Sequence, residues 1–154
     1  MINMVLNDRE FNENDLLAFE EKTGYKLPKD YIDFLQQYNG GYVEDDTCTY
    51  HNNGEQKFIL TCMFGLATDE AYDLLNLFEI YKCRIPISCI PIGRDAGGNI
   101  VCLNLSNNRY GYIYFWDHEK ELEYEDGEMT IDDLYYIADS FKGFLNSIQA
   151  DEIN

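Results

Sequence analysis

The chain has 154 residues, 29 of them acidic against 11 basic, for a formal net charge of −18; 45% are hydrophobic, including 13 Tyr, 9 Phe and 1 Trp. That length and apolar content predict one domain over residues 1–154, with a core that needs neither disulfides nor metal. The charge argues against nucleic acid and anionic membrane as partners, since both require basic patches, and predicts a field that steers basic partners inward.

The predicted elements begin at Asn12, a helix cap followed by Asp15 and a short apolar stripe of Leu16, Leu17 and Phe19, with Gly24 as the left-handed stop. A second helix opens at Pro28, placed in its first turn, with Asp30 beside the positive helix end. Tyr31, Phe34, Leu35 and Tyr38 recur at i, i+3, i+4 and i+7, and Asn39-Gly40-Gly41 ends the run. The two helices form a hairpin. Tyr42-Val43 opens a strand before Glu44-Asp45-Asp46, His51-Asn52-Asn53-Gly54 marks a loop or hairpin tip, and 58–64 is an apolar run of strand length. Thr68 or Asp69 is expected to cap a third helix reaching Lys82.

Three β-rich runs follow, 87–92, 100–105 and 112–116, separated by the turn clusters 94–99 and 106–108. Such short connections leave no room for a crossover helix, so the runs form an antiparallel meander. Pro86 and Pro91 are expected at strand ends or on an edge, because proline donates no ladder hydrogen bond. Thr130 with Asp133 resembles a capping box opening a C-terminal amphipathic helix, whose stripe would be Leu134, Ile137, Ala138, Phe141, Phe144, Leu145 and Ile148. The fold class is α+β: a sheet centred on 87–116, flanked by an N-terminal helical hairpin, a middle helix and a C-terminal helix.

No catalytic signature emerges. The Asp95–Asn99 turn lacks the spacing of a phosphate loop and precedes a strand. His118-Glu119 begins like a zinc-protease motif, but no second histidine follows; Cys48 and His51 have ligand spacing without a matching pair. No metal site, cofactor or catalytic residue is therefore assigned. Trp116 and the tyrosines at 110, 112 and 114 read as core or cross-strand packing. The cysteines at 48, 62, 83, 89 and 102 are odd in number and contain no C-x-x-C, which fits free thiols in a reducing cytosol. Neither a signal peptide nor a span of about 20 apolar residues is present, so a cytoplasmic protein is expected.

Several blocks resemble the SUKH superfamily, the Smi/Knr-type domains. The first holds Pro28, Asp30, Tyr31, Phe34, Leu35, Tyr38, Asn39, Gly40 and Gly41; the second holds Gly93, Asp95, Gly97, Gly98 and Asn99; the third runs from Gly111 through Trp116 to Glu119. A last helix anchored by Phe141 completes the pattern, which covers roughly 12–148. The resemblance implies an α+β fold with no catalytic residues of its own. It further implies, for bacterial members, an immunity protein that neutralises a cognate toxin, often a nuclease or a deaminase. The alternative is a regulatory or scaffolding interaction module of the same fold.

The acidic stretch after Trp116 is the candidate contact surface. Read as a strand, 119–125 places Glu119, Glu121, Glu123 and Glu125 on one face, with Leu122 and Tyr124 on the core. Asp126 and the Glu44-Asp45-Asp46 group extend the row. Acidic side chains of this kind also shield edge strands from unwanted pairing. As a binding surface, they would meet a basic toxin and select it mainly by speeding association.

Overall fold

The computed structural model describes residues 4–6, 9–44, 47–51, 56–125 and 128–150; for 47–51, 56 and 149–150 it describes the backbone. Asp45, Asp46, Asp126 and the tip at 52–54 lie outside the described residues. In chain order the elements are β1 (Met4–Val5), α1 (Glu13–Thr23), α2 (Lys29–Tyr38), β2 (Gly41–Val43), β3 (Thr47–His51), β4 (Gln56–Met63) and α3 (Leu74–Tyr81). Then come β5 (Cys89–Asp95), β6 (Ile100–Asn104), β7 (Ile113–Trp116), a 3-10 helix (His118–Glu123), a 3-10 turn (Ile131–Asp133), β8 (Tyr135–Ala138), α4 (Phe141–Ser147) and β9 (Gln149–Ala150).

The described strands pair antiparallel in the order β1-β2-β4-β5-β6-β7-β8, with β3 on β4 and β9 on β3. The meander predicted from the turn residues is the centre of this sheet. Every residue of β6 and β7 is buried, as expected for strands covered on both faces. Asp95 closes the β5–β6 turn: its carboxylate accepts from the amides of Gly97 (2.9 Å) and Asn99 (2.7 Å) and from the Asn99 side chain (3.0 Å). Buried Asn104 closes the next connection by donating to the carbonyls of Asn108 and Arg109 while accepting from Ser88 at 2.7 Å. The sheet curls strongly. Phe58 on β4 and Phe115 on β7 bring their rings to 4.6 Å although β5 and β6 lie between their strands.

The N-terminal helices form as their sequence dictates. The Asn12 side chain accepts from the Asn14 amide at 2.8 Å and Gly24 adopts φ 80°, so both ends of α1 are satisfied. Pro28 stands one position before the first turn of α2, where its carbonyl accepts from Ile32. Asn39 ends α2 in the left-handed region, and its buried side chain ties three segments together: it donates to the carbonyls of Arg9 and Leu66 and accepts from the Leu66 amide. A Cβ on Gly40 would sit 2.7 Å from backbone atoms of Met63 and Phe64, and one on Gly41 would sit 2.4 Å from the Val5 carbonyl. Both glycines also have positive φ, so the chain can turn into β2 only with glycine at both positions.

Three expectations from the sequence are corrected. Pro91 lies inside a central strand, not at an end. It is tolerated because β4 pairs with β5 only from Gly93 onward and the β5–β6 register shifts between Pro91 and Gly93. The third helix starts at Leu74, capped by Asp73, whose carboxylate accepts from Asn76 at 3.0 Å; residues 66–73 instead form turns and loop tied back to Gly65. The capping box at Thr130 and Asp133 exists but opens only a 3-10 turn. The run 135–138, led by aromatic Tyr135 and Tyr136 and β-branched Ile137, pairs with β7 as β8. A fresh cap, Ser140, accepting from Gly143 at 3.0 Å, starts α4. The spacing 134, 137, 138 is helical, but the β-branched and aromatic residues at 135–137 favour a strand, and pairing with β7 makes 135–138 one.

Phe141 and Phe144 still anchor the C-terminal helix. Phe141 is fully buried against Tyr31 (4.9 Å) and Phe34 (5.0 Å) of α2. Asp30 accepts from the Lys142 amide at 3.0 Å, fastening the starts of α2 and α4 to each other.

Candidate functional site

The stretch 119–125 is not a strand. The Asp117 side chain accepts from the Glu119 amide at 3.0 Å, and i→i+3 bonds from Lys120 to Asp117 and from Tyr124 to Glu121 wind the 3-10 helix. In such a helix residues three apart share a side. Glu121 and Tyr124 therefore face inward and are half-buried, whereas Glu119, Lys120, Leu122 and Glu123 are exposed. Leu122, expected in the core, is 97% exposed.

Hydrogen bonds and ring stacking hold the base from which the exposed residues project. Glu121 accepts from Arg84 through both oxygens, at 2.6 and 3.0 Å, and the Arg84 guanidinium stacks 4.5 Å from the Tyr81 ring and 5.6 Å from that of Trp116. The Arg84 hydrogen bonds hold the Glu121 carboxyl below its usual range and raise Arg84 in turn. On the flanks, Lys120 lies 4.9 Å over the Tyr135 ring, the Tyr124 hydroxyl donates to Asp133 at 3.1 Å, and the His118 amide donates to Asn99 at 3.0 Å. Asn99 in turn rests on Asp95, so the 3-10 helix is braced against the β5–β6 turn. A bidentate pair stacked on two aromatic rings makes Glu121 a positioning residue. The carboxylates open to a partner here are Glu119, Glu123 and Glu125. Glu44 is exposed at the end of β2.

The surface is acidic because 29 acids outnumber 11 bases, and most of those bases have an acidic neighbour. At least six of the eleven are ion-paired: Arg9 with Asp15, Lys26 with Glu20, Lys29 with Asp33, Lys82 with Glu79, Arg84 with Glu121 and Arg109 with Asp132. Among the described residues no group of three or more His, Cys, Asp or Glu could hold a metal ion. Burial pushes the Cys89 thiol up to about 12 and raises Cys102 well above its ordinary value, so neither is a nucleophile at neutral pH. Among the described residues no helix is long and apolar enough to cross a membrane.

Beside the 3-10 helix, on the other side of Tyr81, lies a groove of about 440 Å³ between α3 and β5, lined by Glu70, Ala71, Asn76, Leu77, Ile80, Tyr81 and Arg94. Nothing in the sequence singles it out, since its residues come from separate segments that only the α3–β5 packing brings together.

The chain matches the SMI1 / KNR4 family (SUKH-1) over residues 10–147. It belongs to that family. Within it, the chain is similar to the SPbeta prophage-derived uncharacterized protein YokK of Bacillus subtilis (strain 168), with 34% identity over 154 residues, covering 89% of this chain and 74% of that protein. Of the residues quoted for the resemblance, Tyr31, Phe34, Leu35, Trp116 and Phe141 are core, and Gly40, Gly41, Asp95 and Asn99 shape turns.

Proposed function

We propose that this chain is a non-enzymatic immunity protein, a single domain acting in the cytoplasm, that binds and neutralises a cognate toxin protein with a basic surface, such as a nuclease. The observation that carries this reading is the braced 3-10 helix, which holds Leu122 in water among the exposed Glu119, Glu123 and Glu125. Leaving a leucine side chain unburied forgoes roughly 1.5–3 kcal/mol, which a partner recovers on covering it. A nuclease surface must be basic to grip phosphate, so an acidic surface can cover it and block the substrate with the same contact. Membership of the SMI1/KNR4 family, in which the resemblance implies immunity, and the prophage derivation of the relative add support.

Co-expression tests the reading. A candidate toxin gene is sought next to this one by its variable C-terminal region, and it is induced with and without the chain. Growth only in the presence of the chain is expected. Equal growth in its absence would remove the immunity reading.

A further inference from the structure

Among the described residues, Arg94, in the groove beside the 3-10 helix, has no acidic partner. Its guanidinium lies 5.4 Å from the rings of both Phe64 and Tyr72, beside the Cys62 thiol, and donates to the Ala71 carbonyl at 3.1 Å. Among the described residues no carboxylate lies within ion-pair distance of it, although the chain holds 29 acids and Glu70 stands on the groove's rim. A guanidinium carries five N–H donors in a planar fork, and one bond to a carbonyl leaves most of them unused. Arg94 is half-buried and its bond to Ala71 lies on the exposed side, so its remaining donors are open to an anion.

The walls define which anion. Ala71, Leu77, Ile80 and Tyr81 are apolar or aromatic, and Ile80 is half exposed although it faces the groove. A net charge of −18 repels free anions, so Coulomb attraction to one arginine does not by itself fill the site. An anion delivered on an apolar segment gains the wall contacts as well. The surface continues in the same character toward β2: Tyr72 packs at 5.2 Å on Tyr42, which is half exposed, and their hydroxyls hydrogen-bond. At the opposite end Tyr81 carries Arg84 and, through it, Glu121. Exposed tyrosine and arginine around an apolar centre is the composition of a protein-binding surface.

We propose that the α3–β5 groove binds a carboxylate side chain, an aspartate or glutamate of the partner protein, with Arg94 gripping the carboxylate and Leu77 and Ile80 receiving an adjoining apolar residue. This rests on the reading that the chain binds a protein, and it adds a second contact of opposite sign beside the acidic 3-10 helix. A partner that is basic at one place and carries an acidic side chain at the adjacent place fits both; a uniformly basic surface fits only one. The paired contacts therefore select among basic proteins.

The test uses the full chain and a probe that is not the toxin. Uniformly 15N-labelled protein is titrated with acetyl-Leu-Glu-Leu-amide and with its Gln counterpart, following the Arg94 Nε–H and the amides of Ala71, Leu77 and Ile80. The Glu peptide is expected to shift these resonances saturably and to bind about fivefold more tightly than the Gln peptide. Arg94→Gln should erase that difference, the same spectra reporting whether the variant is folded. Should Arg94→Gln fail to fold, Glu70→Gln carries the test: removing the rim carboxylate should tighten the Glu peptide at least about twofold and leave the Gln peptide unchanged. Equal binding of the two peptides, or no shift in the groove, overturns the proposal. That failure with toxin rescue intact removes the groove and not the immunity reading; selective peptide binding without rescue removes the immunity reading and not the groove.

Discussion

Removing the charge of Glu121 while keeping its shape isolates what holds the 3-10 helix in place. In Glu121→Gln the bidentate contact with Arg84, at 2.6 and 3.0 Å, loses its ionic part, while Arg84 keeps its stacking on Tyr81 and Trp116. The two side chains are 36% and 33% exposed, so solvent screening limits the pair to about 1 kcal/mol. Arg84→Gln removes the stacking as well, for a total of about 2 kcal/mol. A double-mutant cycle should therefore return a coupling of about 1 kcal/mol. The sign of its pH dependence follows from the direction of the shift. Glu121 is held below its ordinary value of 4.5 in the folded state, so the pair contributes fully above that value and fades as pH falls through the folded one. Urea denaturation of the four proteins at about pH 7 and about pH 3 measures both quantities. A coupling below about 0.3 kcal/mol at pH 7, or one that does not shrink in acid, would refute this account of the 3-10 helix.

Other positions give equally direct outcomes. Phe141→Ala should cost about 3–5 kcal/mol by urea denaturation, since the ring is fully buried between Tyr31, Phe34 and Phe144. Asn39→Ala should cost about 3 kcal/mol, losing three hydrogen bonds and placing a Cβ-bearing residue without a compensating side chain at φ 46°. Leu122→Ser should leave stability within about 0.5 kcal/mol, because the side chain touches water; a loss of 2 kcal/mol or more would place Leu122 back in the core.

The sequence discloses most where local chemistry and tertiary packing agree. Asn12, Gly24 and Asn39-Gly40-Gly41 bound α1 and α2 because each satisfies backbone demands within a few residues. The Asp95–Asn99 turn is equally local, so the meander is legible from its connections. Legibility fails where a residue pattern fits two kinds of element. The run 134–138 suits a helix by spacing and a strand by residue type, and pairing with β7 decides for the strand. The alternation of glutamates at 119–125 suggested a strand, but Asp117 caps a 3-10 helix there and the Arg84–Glu121 pair, 37 residues apart in sequence, fixes its face. That pair also changes the role of Glu121, from one of a row of carboxylates to the residue that positions the rest. Arg94 carries no signal in sequence, since its isolation from every described carboxylate exists only in three dimensions.

The association rate of the chain with the toxin identified by co-expression tests the central claim most directly. The triple variant Glu119→Gln, Glu123→Gln, Glu125→Gln leaves the Arg84–Glu121 brace intact and removes only exposed charge. Stopped-flow mixing at low salt should show capture slowed about three- to tenfold in the variant, with the difference closing at about 0.5 M salt and dissociation little changed. An association rate that is the same for both proteins and indifferent to salt would contradict recognition through the acidic 3-10 helix.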